Sequence, residues 1–419
     1  MKSSHLQLGL LKGAGVGAVF LGSCITTSLG QASFQGLGFL KGEDRFSQSA
    51  AISGDGQVVV GRSGTIGSGN VFEAFRWDQR NGMQGLGNLE GGEFNSGTSG
   101  LSRDGSVIIG VSYKSQGREA YYWKRSRGMI GLGDLEGGDF FSAATNVSAN
   151  GRVIVGIGTN ALGSEAFRWT NGHGLCGLGY LEPSHTYSIA EDLSADGLVV
   201  VGRSHFEAFR WTSEDGMIGL GDLSGGRFFS HAQAVSADGR VVIGHSEPEA
   251  GTVGFRWTLE QGMVSLGTLG GSPPLSIARS VSADGSVVVG WSRDTNQRIV
   301  AFIMDPQHGM RNLQNVLIND FNVDLSGWLL SSASDISDDG LTITGTGVNP
   351  QGRNEAWVVR LPGCPEDFNG DGIVNVVDLL KVVRRFGPCP GPCPQDLSGN
   401  GTTDVEDLLI LLAAWGVCP

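Results

Sequence analysis

Short apolar runs separated by glycine-containing turns fill most of the chain. The runs QVVVG, SVIIG, RVIVG, LVVVG, RVVIG, SVVVG and LTITG each follow an Asp-Gly or Asn-Gly turn. β-Branched side chains suit a half-buried pleated surface, and a tight hairpin turn needs residues that accept positive φ. The repeated segments show no 3.6-residue apolar period. The pattern therefore predicts short strands joined by hairpins.

Each apolar run belongs to a larger repeat. An aromatic strand of the type EAFRW follows the run, and a glycine-rich strand of the type GMxGLG ends the copy. The tryptophans of the aromatic strand recur at a spacing of 42 to 46 residues, at Trp77, Trp123, Trp169, Trp211 and Trp257. Four short strands in each period of about 40 residues are typical of a β-propeller blade. Trp at the same position in every blade is expected in the core between blades.

The two ends of the repeat region complement each other. The seventh copy starts near Ser332 and ends at Arg360 without its GLG strand, whereas GLGFL precedes the first complete copy. The N-terminal strand can therefore complete the seventh unit, which removes sheet edges that would otherwise be exposed. We predict an all-β, seven-bladed β-propeller over residues 33–362, with an open β-solenoid as the alternative. The insert NLQNVLINDFNVDLSGWLL departs from the period and is expected to pack over one face.

The repeats GLGxLxGG, SADGxVVVG and EAFRWT resemble the bacterial extracellular HAF repeat. The resemblance covers about Gly36 to Arg360, with departures at Gly254, at Met304 and in the irregular seventh copy. It implies an exported β-repeat module and no particular activity.

Most repeated polar residues of the propeller have a structural interpretation. The Asp of SADG is expected to be a turn residue. Glu and Arg of EAFRW lie three apart on a strand, so they face opposite sides and are expected to be charges at the blade edge. An active site needs each catalytic group only once, so a catalytic residue should interrupt the repeat. The candidates that do so are Glu191, Asp192, His205, His231 and His245. No nucleophile elbow, zinc-protease motif, phosphate loop or Cys/His metal spacing occurs. The sequence therefore assigns no catalytic residue, and a non-catalytic role is favoured.

The last part of the chain is a separate duplication, predicted as a domain over residues 363–419. Asp367 matches Asp396, and Phe386 matches Trp415, each 29 residues apart. After each loop, Leu and Val residues keep helical spacing in VDLLKVVRRFG and EDLLILLAAWG. We predict a small all-α domain made of two loop–helix repeats.

Both loops have the oxygen-ligand spacing of a calcium loop. The first would use Asp367, Asn369, Asp371, the carbonyl of Ile373, Asn375 and Asp378; the second would use Asp396, Ser398, Asn400, the carbonyl of Thr402, Asp404 and Asp407. The second loop has fewer carboxylates at its early positions. We therefore predict two Ca²⁺ sites, of which the second is weaker.

The duplicated loop–helix pair resembles a type I dockerin domain. That resemblance implies a calcium-loaded module that binds a cohesin domain. Recognition in that family usually involves loop positions 10 and 11, often hydroxyl-bearing, which are here Val376 and Val377, and Val405 and Glu406. This departure puts a cellulosomal partner in doubt, so the expected partner is a cohesin-like or other cell-surface protein, with an extracellular glycan as a further candidate.

Four cysteines frame this module: Cys364, Cys389, Cys393 and Cys418. An even cluster in an exported protein suggests two disulfides. Antiparallel helices would favour Cys389–Cys393 with Cys364–Cys418. The alternative pairs the cysteines within each repeat, Cys364–Cys389 and Cys393–Cys418.

The N-terminus indicates export, and the net charge disfavours one class of partner. Residues 1–32 are interpreted as a secretory signal cleaved after Ala32, with a lipoprotein anchored through Cys24 as the alternative. No other stretch is apolar and long enough to span a membrane. The formal net charge of −13 disfavours nucleic acid. The sequence thus indicates a secreted or cell-surface binding or scaffold protein, with a secreted carbohydrate-active enzyme carried by a dockerin as the alternative.

Overall fold

The computed structural model describes residues 31–40, 46–64, 71–364, 366–368, 373–389 and 393–417. Almost all of the predicted signal, including Cys24, lies outside these residues.

Antiparallel strands follow one another in groups of four that we call units. After β1 (Ser33–Gly36), unit 1 contains β2 (Phe46–Ile52), β3 (Val58–Gly64), β4 (Phe72–Asp78) and β5 (Gly82–Gly85); unit 2 contains β6 (Ser96–Leu101), β7 (Val107–Lys114), β8 (Gly117–Lys124) and β9 (Gly128–Gly131); unit 3 contains β10 (Gly137–Val147), β11 (Val153–Asn160), β12 (Gly163–Thr170) and β13 (Gly174–Gly177).

The same order continues through the next units. Unit 4 contains β14 (Ser188–Leu193), β15 (Val200–Ser204), β16 (Glu207–Thr212) and β17 (Gly216–Gly219); unit 5 contains β18 (Ser230–Val235), β19 (Val242–Ser246), β20 (Val253–Thr258) and β21 (Gly262–Gly267); unit 6 contains β22 (Ser276–Val281), β23 (Val288–Arg293), β24 (Ile299–Asp305) and β25 (Gly309–Asn312). This repetition of four-stranded antiparallel units is a β-propeller arrangement, as the sequence predicts.

The last unit takes its fourth strand from the other end of the chain. After α1 (Leu313–Asn319) come β26 (Leu329–Ile336), β27 (Thr342–Val348) and β28 (Asn354–Arg360). Strand β1 pairs antiparallel with β28, with Ser33 opposite Arg360 and Gly36 opposite Trp357. The strand complementation predicted between the two ends is therefore present, but the strand is Ser33–Gly36 and lies just before the predicted segment Gly36 to Leu40.

The units are linked through their Asp-Gly turns, at the inner strands. The second residue of each turn donates its N–H to the carbonyl of the corresponding residue in the following unit, at 2.9 to 3.1 Å. The donors follow the order Gly54, Arg103, Ala149, Ala195, Ala237, Ala283 and Asp338, and Asp338 donates to the carbonyl of Gly54. These hydrogen bonds form a closed circuit.

A buried serine connects most neighbouring units on the opposite side. Ser96 Oγ accepts the N–H of Ala74 at 3.0 Å and donates to the carbonyl of Gly87 at 2.6 Å. Ser47 makes the same pair of hydrogen bonds with Ala356 and Gly38, at 3.0 and 2.7 Å. The junction between the chain ends is therefore built like the junctions between consecutive units.

The insert forms a helix that the sequence analysis did not predict. Leu313, Val316 and Leu317 of α1 are buried against strands of unit 6 and of the last unit. Their i, i+3, i+4 spacing was the available signal. The insert packs against the propeller, as expected.

The core lies between units, and its centre is an aromatic residue other than the predicted tryptophan. Phe75, Tyr121, Phe167, Phe209, Phe255 and Phe302 are fully buried. Of the five repeated tryptophans only Trp77 is buried, and the others are half-buried at the edges of the hydrophobic clusters. Four of the five tryptophans therefore lie at the edge of the core and not at its centre.

The C-terminal segment folds as two loop–helix repeats, as predicted. Helices α2 (Val376–Arg384) and α3 (Val405–Ala413) contact each other. The short strands are β29 (Ile373–Val374), β30 (Gly387–Pro388), β31 (Thr402–Thr403) and β32 (Gly416–Val417). β29 pairs with β32 and β30 pairs with β31, so each loop pairs with the residues that follow the opposite helix. The duplication in sequence thus becomes a twofold arrangement.

Candidate binding channel and metal loops

The inner strands line a central channel, and each has a β-bulge at the same position. The register shifts lie between residues such as Ala190 and Asp192, or Ala278 and Ser280. The extra residues are Ala50, Ser99, Thr145, Glu191, Gln233, Arg279 and Ser334, which line a cavity of about 440 Å³ together with their neighbours. A bulge re-aims a side chain, and here it points one residue of each unit into the channel. We call this cavity the wide end of the channel; the Asp-Gly turns surround the other end.

Two carboxylates lie between the wide end of the channel and the end surrounded by the Asp-Gly turns. Asp192 is buried, and its oxygens accept the N–H groups of Leu193 and Val235 at 2.7 and 2.8 Å. Asp335 accepts those of Ile336 and Ile52 at 2.9 and 2.8 Å. Each carboxylate therefore connects its own inner strand to that of the next unit.

Burial is the largest influence on the pKa of both carboxyl groups. It raises the pKa of Asp192 to about 7 although Val235 and Leu193 donate hydrogen bonds that favour the carboxylate, and the charge of Asp335 adds to the increase. Burial likewise raises the pKa of Asp335 to about 6. Both side chains hold the units together, which is a structural role.

The structure brings four of the five repeat-breaking candidates together. Glu191 and Asp192 are adjacent in the channel wall, and His231 Nε2 lies 2.9 Å from Glu191 Oε1. The rings of His231 and His245 have centroids 5.4 Å apart. His205 instead sits on the hairpin between β15 and β16, exposed and with φ of 52°, against the ring of His185.

Sequence reasoning missed three polar residues of the wide end. Arg279 donates to Gln233 Oε1 at 2.7 Å, and Gln233 Nε2 lies 3.3 Å from the His231 ring nitrogens. Arg62, from unit 1, lines the same cavity. Gln233 and Arg279 occupy the inner-strand position of Glu191, where other units have Ala, Ser or Thr. Comparison of the repeats at that position could have found them.

The repeated Glu of the aromatic strand binds backbone, so our interpretation of it as an edge charge is incomplete. Glu207 Oε1 accepts the N–H of Gly221 at 2.9 Å, and a Cβ on Gly219 would collide with the same carboxylate. Glu119, Glu165 and Glu355 make the equivalent hydrogen bond with Gly133, Gly179 and Gly38. The first Gly of GLG is therefore needed because any larger residue there would collide with the Glu carboxylate.

Unit 5 shows the alternative to this pair. Val253 stands at the Glu position and Ser265 at the Gly position, and Ser265 Oγ accepts the N–H of Gly267 at 3.1 Å. The serine hydroxyl thus replaces the carboxylate as acceptor for the same backbone group.

We expect the two positions to be energetically coupled. Gly219→Ser should destabilise the protein by about 1–3 kcal/mol through overpacking against Glu207. Glu207→Val should cost about 1–3 kcal/mol, because it leaves the Gly221 N–H without its acceptor. The double variant reproduces unit 5 and should cost less than either single change, as measured by urea unfolding. Additive costs would contradict this coupling.

The Asp of each Asp-Gly turn is a turn residue, as predicted. Asp196 Oδ1 accepts hydrogen bonds from Ser194 Oγ at 2.6 Å and from the N–H of Leu198 at 2.9 Å. These donors lower the pKa of Asp196. The equivalent carboxylates in other units have the same donors.

Of the predicted calcium loops, the structure describes the second more fully. In the first loop, Asn369 and Asp371 lie outside the described residues. In the second loop, Asp396 accepts the N–H groups of Asn400 and Gly401 at 3.1 and 2.8 Å and the hydroxyl of Ser398 at 3.3 Å. The chain thus wraps around the first predicted ligand. Among described residues alone, no group of three or more His, Cys, Asp and Glu side chains has the geometry of a metal site.

The last predicted ligand of each loop also caps the helix that follows. Asp378 Oδ2 accepts the N–H of Asn375 at 3.0 Å, and Asp407 Oδ2 accepts that of Asp404 at 2.7 Å. Asn375 and Asp404 are the N-cap residues, so each pair forms a capping box. Asp378 and Asp407 are fully buried. Asp at this position therefore has a structural reason beside its predicted role as a ligand.

The helices of this module leave an apolar face in solvent. Leu379 and Leu408 pack into its small core, around Val382 and Leu411. The exposed apolar side chains lie on both helices and beyond their ends: Val376, Val377, Leu380, Val383, Phe386, Val405, Leu409, Leu412 and Trp415. Large exposed apolar patches mark interaction sites.

A disulfide joins Cys389 to Cys393. It agrees with the first of the two predicted pairings and excludes the pairing within each repeat. Cys364 is disulfide-bonded as well. Cys176, in the propeller, is a free and exposed thiol.

The comparisons with known proteins support the fold. No family model and no curated protein matches the chain. An oligogalacturonate lyase solved in complex with manganese is 12% identical, with a TM-score of 0.50 over 79% of this chain and 93% of that one. TolB from Acinetobacter baumannii is 16% identical, with a TM-score of 0.42 over 60% of this chain and 62% of that one. Oligogalacturonate lyase from Vibrio parahaemolyticus is 10% identical, with a TM-score of 0.49 over 79% and 97%.

At these identities a likeness concerns the fold alone, and the argument rests on the manganese-bound lyase with its TM-score of 0.50. The chain is similar to β-propellers and is itself mostly β. Within the described part of the chain, no helix has the length and apolar character needed to cross a membrane.

Proposed function

We propose that the protein is an exported, non-catalytic binding or scaffold protein: a closed seven-bladed β-propeller attached to a partner through a calcium-dependent, dockerin-like module. The observation that carries the attachment role is the C-terminal twofold loop–helix module with its exposed apolar face. Such a face costs solubility unless a partner covers it.

The proposed ring of seven blades rests on the connections between units. The circuit of backbone hydrogen bonds through Gly54 and Asp338, and the pairing of β1 with β28, both link the ends of the repeat region. A closed ring leaves no free inner edge to pair with other chains.

The donor set of the two loops suits calcium, which takes six to eight oxygen ligands. In the second loop Asp396, Ser398, Asn400, the carbonyl of Thr402, Asp404 and Asp407 would hold the ion. When bound, Ca²⁺ supplies the positive charge that offsets the acidic side chains of the loop. The chain itself orients Asp396 through the backbone of Asn400 and Gly401, and it anchors Asp407 at the start of α3. A module this small gains folding stability from metal and disulfide support.

We expect calcium to slow hydrogen exchange across residues 393–417 of the full-length protein by at least tenfold. Asp396→Ala should remove this protection, because the loop loses both a ligand and the carboxylate around which it folds. Asp215→Ala, an exposed change in the propeller, serves as the matched control. Equal exchange rates with calcium and with a chelator would refute the calcium-dependent module.

The attachment role has a test of its own. The full-length protein, used as bait, should capture a cell-surface protein in calcium and release it on chelation. Leu409→Asp and Trp415→Asp, each at an exposed position, should abolish capture while leaving calcium-dependent exchange intact. Capture that persists in both variants would show that this face is not the docking surface.

A further inference from the structure

The long side chains at the bulge position come from three consecutive units. Units 4, 5 and 6 place Glu191, Gln233 and Arg279 there, whereas the other units place Ala, Ser or Thr. The part of the cavity beside the small side chains therefore stays open. The cavity volume of about 440 Å³ lies in the range of small-molecule sites.

The charged groups that line the wide end nearly balance one another. Three carboxyl groups, of Glu191, Asp192 and Asp335, stand against the two guanidinium groups of Arg62 and Arg279. Burial raises the pKa of Asp192 to about 7, so this carboxyl is about half protonated at neutral pH. The net charge of the lining is therefore close to zero near pH 7, which favours a neutral ligand over an anion or a cation.

The two aspartates are already used by the protein. Asp192 Oδ1 accepts hydrogen bonds from the N–H of Leu193 and the amide of Asn146, and Oδ2 accepts the N–H of Val235. Asp335 accepts a serine hydroxyl and two backbone N–H groups, also with both of its oxygens. These carboxyl groups thus keep little acceptor capacity for a bound cation.

The guanidinium groups supply the donors that remain. Arg62 is held by Gln48 Oε1 at 2.9 Å, and Arg279 is held by Gln233 Oε1 at 2.7 Å. Each guanidinium has five N–H donors, and the amide oxygen beside it uses only part of them. Both side chains therefore offer further hydrogen bonds to a ligand in the cavity.

Hydroxyl groups supply the acceptors. Ser99 Oγ donates to the carbonyl of Ala144 at 2.6 Å, and Thr145 Oγ1 donates to that of Ala190 at 2.8 Å. Each hydroxyl has thereby used its single proton, and its lone pairs remain for a ligand. Thr346 Oγ1 is buried and has no hydrogen-bond partner within the described part of the chain. The wide end therefore presents donors and acceptors together.

We propose that the wide end of the channel binds a small neutral polyhydroxylated molecule, a sugar or a polyol, through hydrogen bonds to the lining residues Arg62, Ser99, Thr145, Arg279 and Thr346. An alcohol hydroxyl both donates and accepts, so it pairs with both sets of atoms, whereas a carboxylate only accepts and an ammonium group only donates.

Recognition at this site depends on hydrogen bonds and not on ring stacking, because no aromatic side chain among the described residues lines the cavity. The site lies in the propeller and does not depend on the C-terminal module. Its failure would therefore leave the attachment role of that module untouched.

The experiment is calorimetric titration of the full-length protein with glucose, sorbitol and sucrose, and with gluconate and glucosamine as charged counterparts of glucose. At least one of the three neutral compounds should bind saturably at a single site, and more tightly than both charged compounds. Absence of saturable binding by all three neutral compounds overturns the proposal. Binding of gluconate or glucosamine as tightly as the best neutral compound does so as well.

A variant that fills the cavity tests where the ligand binds. Ala50→Gln introduces a side chain that the fold accepts at this position, since unit 5 has Gln233 there. It should weaken binding by about tenfold or more, because it occupies volume that the ligand needs. Ser106→Gln is the matched control at an exposed turn position where unit 1 has Gln57, and it should leave the affinity unchanged. Parental affinity in Ala50→Gln contradicts binding in the wide end.

Thr346→Val separates a loss of binding from a loss of folding. Unit 2 has Val111 at this position, and the change removes the buried hydroxyl without a partner. The free energy of unfolding should therefore not fall, whereas the affinity for the best neutral compound should drop by about threefold or more. An affinity equal to that of the parent contradicts the role of Thr346 in the proposed site.

Discussion

Removal of residues 33–40 is expected to abolish the cooperative unfolding transition of the propeller. Phe34 packs against Trp328 and Trp357, with ring centroids 4.9 and 6.3 Å away, and Leu37 is buried. Burying one such side chain contributes about 1.5–3 kcal/mol. The deletion also removes the backbone pairing of β1 with β28 and the Gly38 N–H that binds Glu355.

The summed loss exceeds about 5 kcal/mol, which approaches the whole stability of a typical domain. It would also leave Glu355 buried with one hydrogen bond fewer and expose the edge of β28. We therefore expect aggregation or a molten state, measured by urea unfolding and size-exclusion chromatography.

Graded variants distinguish ring closure from general damage at the N-terminus. Gln35→Ala, at an exposed position of β1, should change the free energy of unfolding by less than about 0.5 kcal/mol. Leu37→Ala should cost about 2–5 kcal/mol. A synthetic peptide of residues 33–40 should restore part of the stability of the deleted protein. A deleted protein as stable as the parent would show that β1 is dispensable.

The second large effect concerns pH and Asp192. The folded protein holds a proton on this carboxyl up to a pKa of about 7, whereas the unfolded chain releases it near pH 4. The folded state therefore binds more protons between these values, and the free energy of unfolding should fall as pH rises from 4 to 7. A difference of about 3 pKa units corresponds to a loss on the order of 4 kcal/mol.

Asp192→Ala should make this dependence clearly shallower between pH 4.5 and 7, as measured by urea unfolding at several pH values, and Asp335 with its pKa of about 6 should maintain the smaller slope that remains. Ala51 and Ala234 occupy the same position in units 1 and 5, so the site tolerates alanine. The variant also leaves the N–H groups of Leu193 and Val235 without this acceptor, so the slope is the readout rather than the absolute stability.

Asp196→Ala provides the control for the pH experiment. Ser194 and the backbone of Leu198 lower the pKa of Asp196, so its contribution is present at higher pH and disappears only as pH falls below about 4. Its removal should leave the slope between pH 4.5 and 7 unchanged. A parental slope in Asp192→Ala would contradict the assignment to Asp192.

The repeat pattern was sufficient to predict most of the strands because local chemistry determines them. Val and Ile runs after Asp-Gly turns specify hairpins wherever they occur, and the incomplete seventh copy indicated that β1 would join β28. The capping residues Asn375 and Asp404, with Asp378 and Asp407 three positions on, likewise mark the starts of α2 and α3. Helix α1 was missed because its three apolar positions lie inside an insert that has no repeat to compare.

The channel could be predicted only in part. Glu191, Asp192, His231 and His245 were identified because each interrupts the repeat, yet the same criterion selected His205, which lies on an outer hairpin. Arg62 and Arg279 come from distant parts of the sequence, and nothing local indicates that both line one cavity. The pairing of Glu207 with Gly219 recurs in most copies, but its reason is a side-chain contact between neighbouring strands.

The sequence by itself determined the strands, the turns, the completion of the last unit by the first strand and the duplicated helices, since each depends on neighbouring residues or on comparison of copies. Only the tertiary structure decided which side chains share the channel and that burial raises the pKa values of Asp192 and Asp335. It also decided which helix faces of the C-terminal module remain in solvent. These properties depend on distances and burial between residues far apart in the chain, which no local pattern records.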